Sequence, residues 1–74
     1  MAQPNKMLFI TVPIDNVVYS TEKAVLIEKD GEQCWIPRSA LSLRSDKMIP
    51  ERQKNLDIEA IDIHDWLAKE KGFD

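Results

Sequence analysis

The chain has 74 residues, 43% of them hydrophobic and 31% charged, with a formal net charge of −3. That suffices for one domain, residues 1–74, near the lower limit for a self-sufficient core, so association into a homodimer is an expected relief. The apolar runs are too short to span a bilayer, no signal-peptide pattern precedes the fold, and the single Cys34 excludes an internal disulfide, so a reducing cytoplasm is the expected setting.

Taken in order, residues 1–6 are polar and expected to be loose. Residues 7–12, MLFITV, are β-branched and aromatic enough for a strand, which Pro13 ends or bends at an edge. Asp15-Asn16 offers a turn, and Val17-Val18-Tyr19 resumes an extended segment. Asp30-Gly31 between two apolar runs is a strong two-residue hairpin signal, because both positions tolerate positive φ. That turn sets a register with Lys29 facing Glu32, Ile27 facing Cys34, Leu26 facing Trp35 and Val25 facing Ile36. One face then carries Val25, Ile27, Cys34 and Ile36, and the other Leu26, Glu28, Gln33 and Trp35.

Pro37 stops the second strand, and Ser39 is placed to cap a short helical turn through about Leu43. Residues 44–54 read as a charged loop. From Asn55 to Ile61 the chain alternates, with Leu56, Ile58 and Ala60 on one side and Asp57 and Glu59 on the other, which predicts a half-buried strand. Asp62 then reads as an N-cap for a C-terminal helix over 63–71. Its stripe of Ile63, Trp66 and Leu67 would set Trp66 in the core, and Gly72 would close it. The expected fold class is α+β: a small curved antiparallel sheet, or a partly open barrel, of four or five strands with a C-terminal helix.

Chemistry has few places to reside. With Gly31 and Gly72 as the only glycines, no phosphate-cradling loop or nucleophile elbow can be built. One His and one Cys fall short of a metal set, and a core-facing Cys34 without a nearby cation is a poor nucleophile for His64 to assist. Asp57 and Glu59 pose a carboxylate pair on one strand face, but a solvated face explains them. The expectation is a protein without enzymatic activity, metal or cofactor.

Charge is unevenly distributed along the chain. Residues 1–37 hold three basic and five acidic residues, residues 38–54 five and two, and residues 55–74 two and six. The middle segment is a basic strap of Arg38, Arg44, Lys47, Arg52 and Lys54 between acidic parts. Beside Trp35 or Tyr19 it would suit a phosphate-tracking groove for single-stranded nucleic acid, but overall acidity and few aromatics favour a hydrophilic loop that neutralises nearby acids. Trp35 with Arg38 is the expected contact patch, since interfaces favour Trp and Arg. The acidic C-terminal block admits a further reading as a mimic of nucleic-acid phosphates.

The run from Ser20 to Ile27, the Asp30-Gly31 turn, Trp35-Ile36-Pro37-Arg38-Ser39 and the ending Asp65-Trp66-Leu67-Ala68-Lys69-Glu70-Lys71-Gly72 together resemble a group of small bacteriophage and prophage accessory proteins. The resemblance covers most of the chain from Ser20 onward, and is loose through 44–54. The chain has Ile63-His64-Asp65 where the group's last helix begins Pro-Glu. What the resemblance implies is a setting, the cytoplasm of a bacterial host, and no catalytic residues. The expected function is a non-enzymatic accessory protein that binds a host or phage protein complex through Trp35, Arg38, Arg44, Lys47 and Arg52. An inhibitor of host defence, of anti-CRISPR type, would be one instance. The alternative is a single-stranded nucleic-acid-binding module using residues 38–54.

Overall fold

A computed structural model describes residues 8–73; the expected loose segment 1–6 lies outside the described residues. Six strands and two helices follow in the order β1 (Phe9–Pro13), β2 (Asn16–Ser20), β3 (Ala24–Lys29), β4 (Glu32–Pro37), α1 (Leu43–Met48), β5 (Lys54–Leu56), β6 (Ala60–His64) and α2 (Asp65–Lys71), with a 3₁₀ turn at Arg38–Ala40. They form a small α+β protein with two antiparallel sheets, one of order β4-β3-β2-β5 and one pairing β1 with β6. The sheets do not close into a barrel, and the strands number six rather than four or five.

The β3–β4 hairpin has the register its sequence predicts, from Lys29 opposite Glu32 to Val25 opposite Ile36. Asp30 and Gly31 take φ values of 53° and 82°, the left-handed pair whose twist matches the flanking strands. At the other end of β3, the Thr21 hydroxyl accepts from the Lys23 and Ala24 N–H groups and ties the turn from β2. β2 carries a bulge between Val17 and Tyr19, and Pro13 is the last residue of β1. The alternate residues that face inward, Val17, Val25, Ile27 and Ile36, are wholly buried. They share one core with Val12, Ile14, Ile61 and Ile63 of the other sheet and with Leu41, Ile49, Leu67 and Ala68.

Five expectations fail between residues 39 and 67. The predicted charged loop over 44–54 instead contains α1. The turn expected from Ser39 to about Leu43 is instead the 3₁₀ turn Arg38–Ala40, with Ser39 inside it and Pro37 at its N-cap. Ser42 caps α1: its hydroxyl accepts from the Ser45 N–H at 3.1 Å, and buried Ile49 just beyond the helix anchors it to the core. The predicted strand over 55–61 is broken in two. Asn55 takes φ 52°, and the Ile58 N–H bonds back to the Leu56 carbonyl in a three-residue turn, so β5 joins β2 while β6 joins β1.

The predicted helix start at Asp62 is also wrong. Asp62 and Ile63 belong to β6, where Ile61 and Ile63 face the core and Asp62 and His64 face outward. Helix α2 begins at Asp65 and ends at Gly72, whose φ of 75° is the expected left-handed cap. Without Ile63 in the helix, the buried positions of α2 are Leu67 and Ala68. Trp66 turns outward and is 55% exposed, against the expectation that it is a core plug.

Candidate functional site

Pairing of β1 with β6 sets Phe9 directly opposite His64. The Asp65 N–H extends that ladder by donating to the Leu8 carbonyl at 3.0 Å, and the chain then turns into α2. Trp66, second residue of the helix, consequently lies beside His64. The three rings form a row, with centroids 4.9 Å apart from Phe9 to His64 and 5.9 Å from His64 to Trp66. Tilted aromatic pairs at these separations are attractive beyond their apolar contact. Phe9 and Trp66 are exposed, so the row lies at the surface at one end of the two-stranded sheet. Clustered exposed aromatics of this kind mark contact surfaces more often than scattered ones do.

Beside the row, on the same face of β6, Asp62 is the centre of a polar network. It accepts the Thr11 hydroxyl at 2.6 Å and the Ser42 hydroxyl at 3.1 Å, and pairs with Arg44 at 3.3 Å. The Thr11 hydrogen bond is the main reason its carboxyl is held below the ordinary value of 3.8. Burial works in the opposite direction, and Ser42 and Arg44 add to the lowering. The backbone of the same residue is satisfied too, with the Asp62 N–H on the Ser45 hydroxyl at 2.8 Å and the Ser42 N–H on the Asp62 carbonyl. This network fastens α1 and β1 to β6. Its chemistry is structural: the carboxylate is fully occupied by its neighbours.

The residues of the predicted contact set are scattered. Trp35 lies on the outward face of β4 and is 48% exposed. Arg38 does not join it at the surface. Its side chain, 12% exposed, turns inward, where Nε donates to the Thr21 carbonyl at 2.8 Å and Nη1 to Asp46 Oδ1 at 2.9 Å. It clamps the foot of the hairpin to α1. Arg44 is 76% exposed and leans on Asp62. Lys47 sits in the last turn of α1, and Arg52 is in the turn before β5, where a φ of 60° lets its N–H reach the Ser20 carbonyl.

The basic strap is therefore not one surface, for Arg38 and Arg44 are committed to acids while Lys47, Arg52 and Lys54 make no ion pair among the described residues. Arg38 and Lys47 share an open cleft of about 500 Å³ with Glu22, Asp46, Ile49 and Glu51, in which acids outnumber bases. Asp57 and Glu59 fall in the connector between β5 and β6 rather than on one strand face. Cys34 is half-buried on the inner side of β4 and His64 lies in the aromatic row, so they are no pair. Among the described residues no three His, Cys, Asp or Glu side chains converge as a metal site would require.

Fold and surface thus define a small α+β protein with an exposed aromatic row at one end. No family model matches the chain, and neither the curated proteins nor the solved structures contain a match. No helix among the described residues is long and apolar enough to cross a membrane.

Proposed function

We propose that this chain is a protein-binding accessory factor, of the phage type its sequence resembles, acting in the host cytoplasm on a host or phage protein complex. The observation that carries the reading is the row of Phe9, His64 and Trp66. Two large rings at a surface, held in place by a strand pair and a helix start, lose little conformational freedom when a partner covers them. A nucleic acid is a poorer occupant, because Asp62 and Asp65 adjoin the row and two of the three arginines of the strap, Arg38 and Arg44, are engaged by acids. Inhibition of a host-defence complex is one form this function takes.

The test is capture from a bacterial lysate with tagged protein and a Phe9→Ser, Trp66→Ser double variant. A stoichiometric partner should be retained by the parent and lost at least tenfold with the variant. An empty capture, or a partner held equally by both, overturns the reading. So does salt-sensitive binding of a labelled single-stranded oligonucleotide by the parent.

A further inference from the structure

The two sheets have four outer edges, and they are not equally protected. That of β6 is covered by Leu41 and Ser42, which bridge to Ile63 and Asp62. β5 is three residues long and kinked by the positive φ of Asn55. β1 ends in Pro13, which has no donor, and its carbonyl is taken by the Lys29 ammonium at 3.1 Å. β4 is different. It runs six residues without a bulge against β3, has no lysine, and bears the exposed Trp35. An unbulged edge of this length with no lysine on it is a template for another strand.

The register of the hairpin says which groups that edge offers. In a two-residue hairpin Lys29 and Glu32 are a hydrogen-bonded pair, and the Arg38 N–H to the Lys23 carbonyl, at 2.9 Å, continues the same alternation. Residues 32, 34 and 36 therefore bond inward to β3, and Gln33 and Trp35 direct their N–H and C=O groups outward. No backbone partner for the Gln33 or Trp35 N–H exists among the described residues.

We propose that a second copy of this chain occupies this edge, β4 against β4 in antiparallel fashion across a two-fold axis. With outward groups at 33 and 35 and a donorless Pro37 closing the strand, the pairing that uses all four donors sets Gln33 opposite Trp35 of the second copy. Each exposed indole then lies over an amide side chain. The two-fold axis passes between the Cys34 residues, which face each other as a non-hydrogen-bonded pair about 4.5 Å apart at Cα.

Charge favours this occupant. The hairpin tip exposes Asp30 and Glu32; Lys29, which also meets the Pro13 carbonyl and the Phe73 ring, lies 3.9 Å from Asp30 and leaves Glu32 without an ion pair among the described residues. The antiparallel pairing lays that acidic tip toward the hairpin foot of the other copy, where the exposed Lys23 is the available cation, Arg38 being held by Asp46. Like charges are kept at opposite ends. The result is one continuous sheet of eight strands, with the aromatic row of each copy left free.

Light scattering with size exclusion should give twice the 8.5 kDa chain mass. Gln33→Pro removes an outward donor without touching the β3 ladder, and Gln33→Lys adds an edge charge. Both should elute at the mass of one chain with unchanged far-UV circular dichroism. Diamide, which takes up the two thiol hydrogens as an Sγ–Sγ bond forms, should convert the parent to a covalent dimer. Cys34→Ser should remain dimeric without cross-linking. Amide exchange at Gln33 and Trp35 should be slow in the parent and fast in Gln33→Lys. A parent that is monomeric at NMR concentrations overturns the proposal and leaves the edge to a strand from another protein. A dimer that survives both Gln33 variants, or is lost with Trp66→Ser instead, overturns it as well.

Discussion

The two sheets are held together by different means. In the four-stranded sheet, β2, β3 and β4 are joined by turns of a few residues and fastened chiefly by backbone ladder over buried alternate side chains. The remote β5 is approached through wholly buried Ser20, whose hydroxyl donates to the Pro50 carbonyl and accepts from the Gln53 N–H. The two-stranded sheet pairs the two ends of the described chain; Thr11 and Asp62, which bond each other, are 51 residues apart. Closing so long a loop is entropically costly, and here side-chain hydrogen bonds supplement the ladder. Thr11, Ser42 and Arg44 converge on the Asp62 carboxylate, and wholly buried Ser45 on its N–H. A local sheet can rely on its turns, whereas a sheet assembled from distant segments needs groups that recognise one another.

The closing sheet is the place where small changes are felt most. The largest effect is expected from Ile63→Ala. Its side chain is wholly buried where β6 meets both β1 and Leu41, and truncations of this type cost about 2–5 kcal/mol. For a chain of this size, whose total is on the order of 4–11 kcal/mol, that removes a large part of the stability. Urea unfolding measures it, and a loss below about 1 kcal/mol would place the centre of the core elsewhere.

Ser45→Ala comes next. It leaves the Asp62 N–H buried and unpaired while deleting one oxygen atom, for which about 1–3 kcal/mol is expected. The contrast sharpens if amide exchange in this variant accelerates at Ile61 and Ile63 but not at Ile27. Uniform acceleration through both sheets would mean that they open as one unit, and that the distinction between them has no energetic content.

The smallest effect is a dependence on pH. The Asp62 pKa is lowered in the folded protein, so its contribution is fully present above the unfolded value of 3.8 and is lost as pH falls through the lower native value. Asp62→Asn should flatten the stability profile in that acid range and leave it little changed in shape near neutrality. An unaltered acid profile in the variant would show that other carboxylates carry the acid sensitivity.

The same division between near and far governs what can be read without coordinates. The hairpin was legible to the residue, because Asp30-Gly31 sets the turn and a turn sets the register. The Gly72 helix end was legible for the same reason. From Ser42 to Trp66 legibility fails, and each failure has a local cause. Ser42 ahead of Leu43 is a cap signal masked by the charges and Pro50 that follow. Ile61-Asp62-Ile63-His64 alternates as a strand should, yet Asp62 also resembles a helix cap, and only the presence of β1 decides between them. The strap looked like one basic surface because charge was counted along the chain. In space Arg38 and Arg44 face different acids. The aromatic row was illegible altogether, since Phe9 and Trp66 are remote in sequence and Trp66 has the composition of a core residue.

By itself, then, the sequence determined the class of fold, the β3–β4 pairing and its inner face, and the left-handed endings at Gly31 and Gly72. These depend on backbone preferences and on side-chain periods of a few residues. Only the tertiary structure decided where β6 ends, which tryptophan faces outward, which arginines are occupied and which sheet edge is left unguarded. Those outcomes depend on which distant segment arrives as a neighbour, and no local preference contains that information.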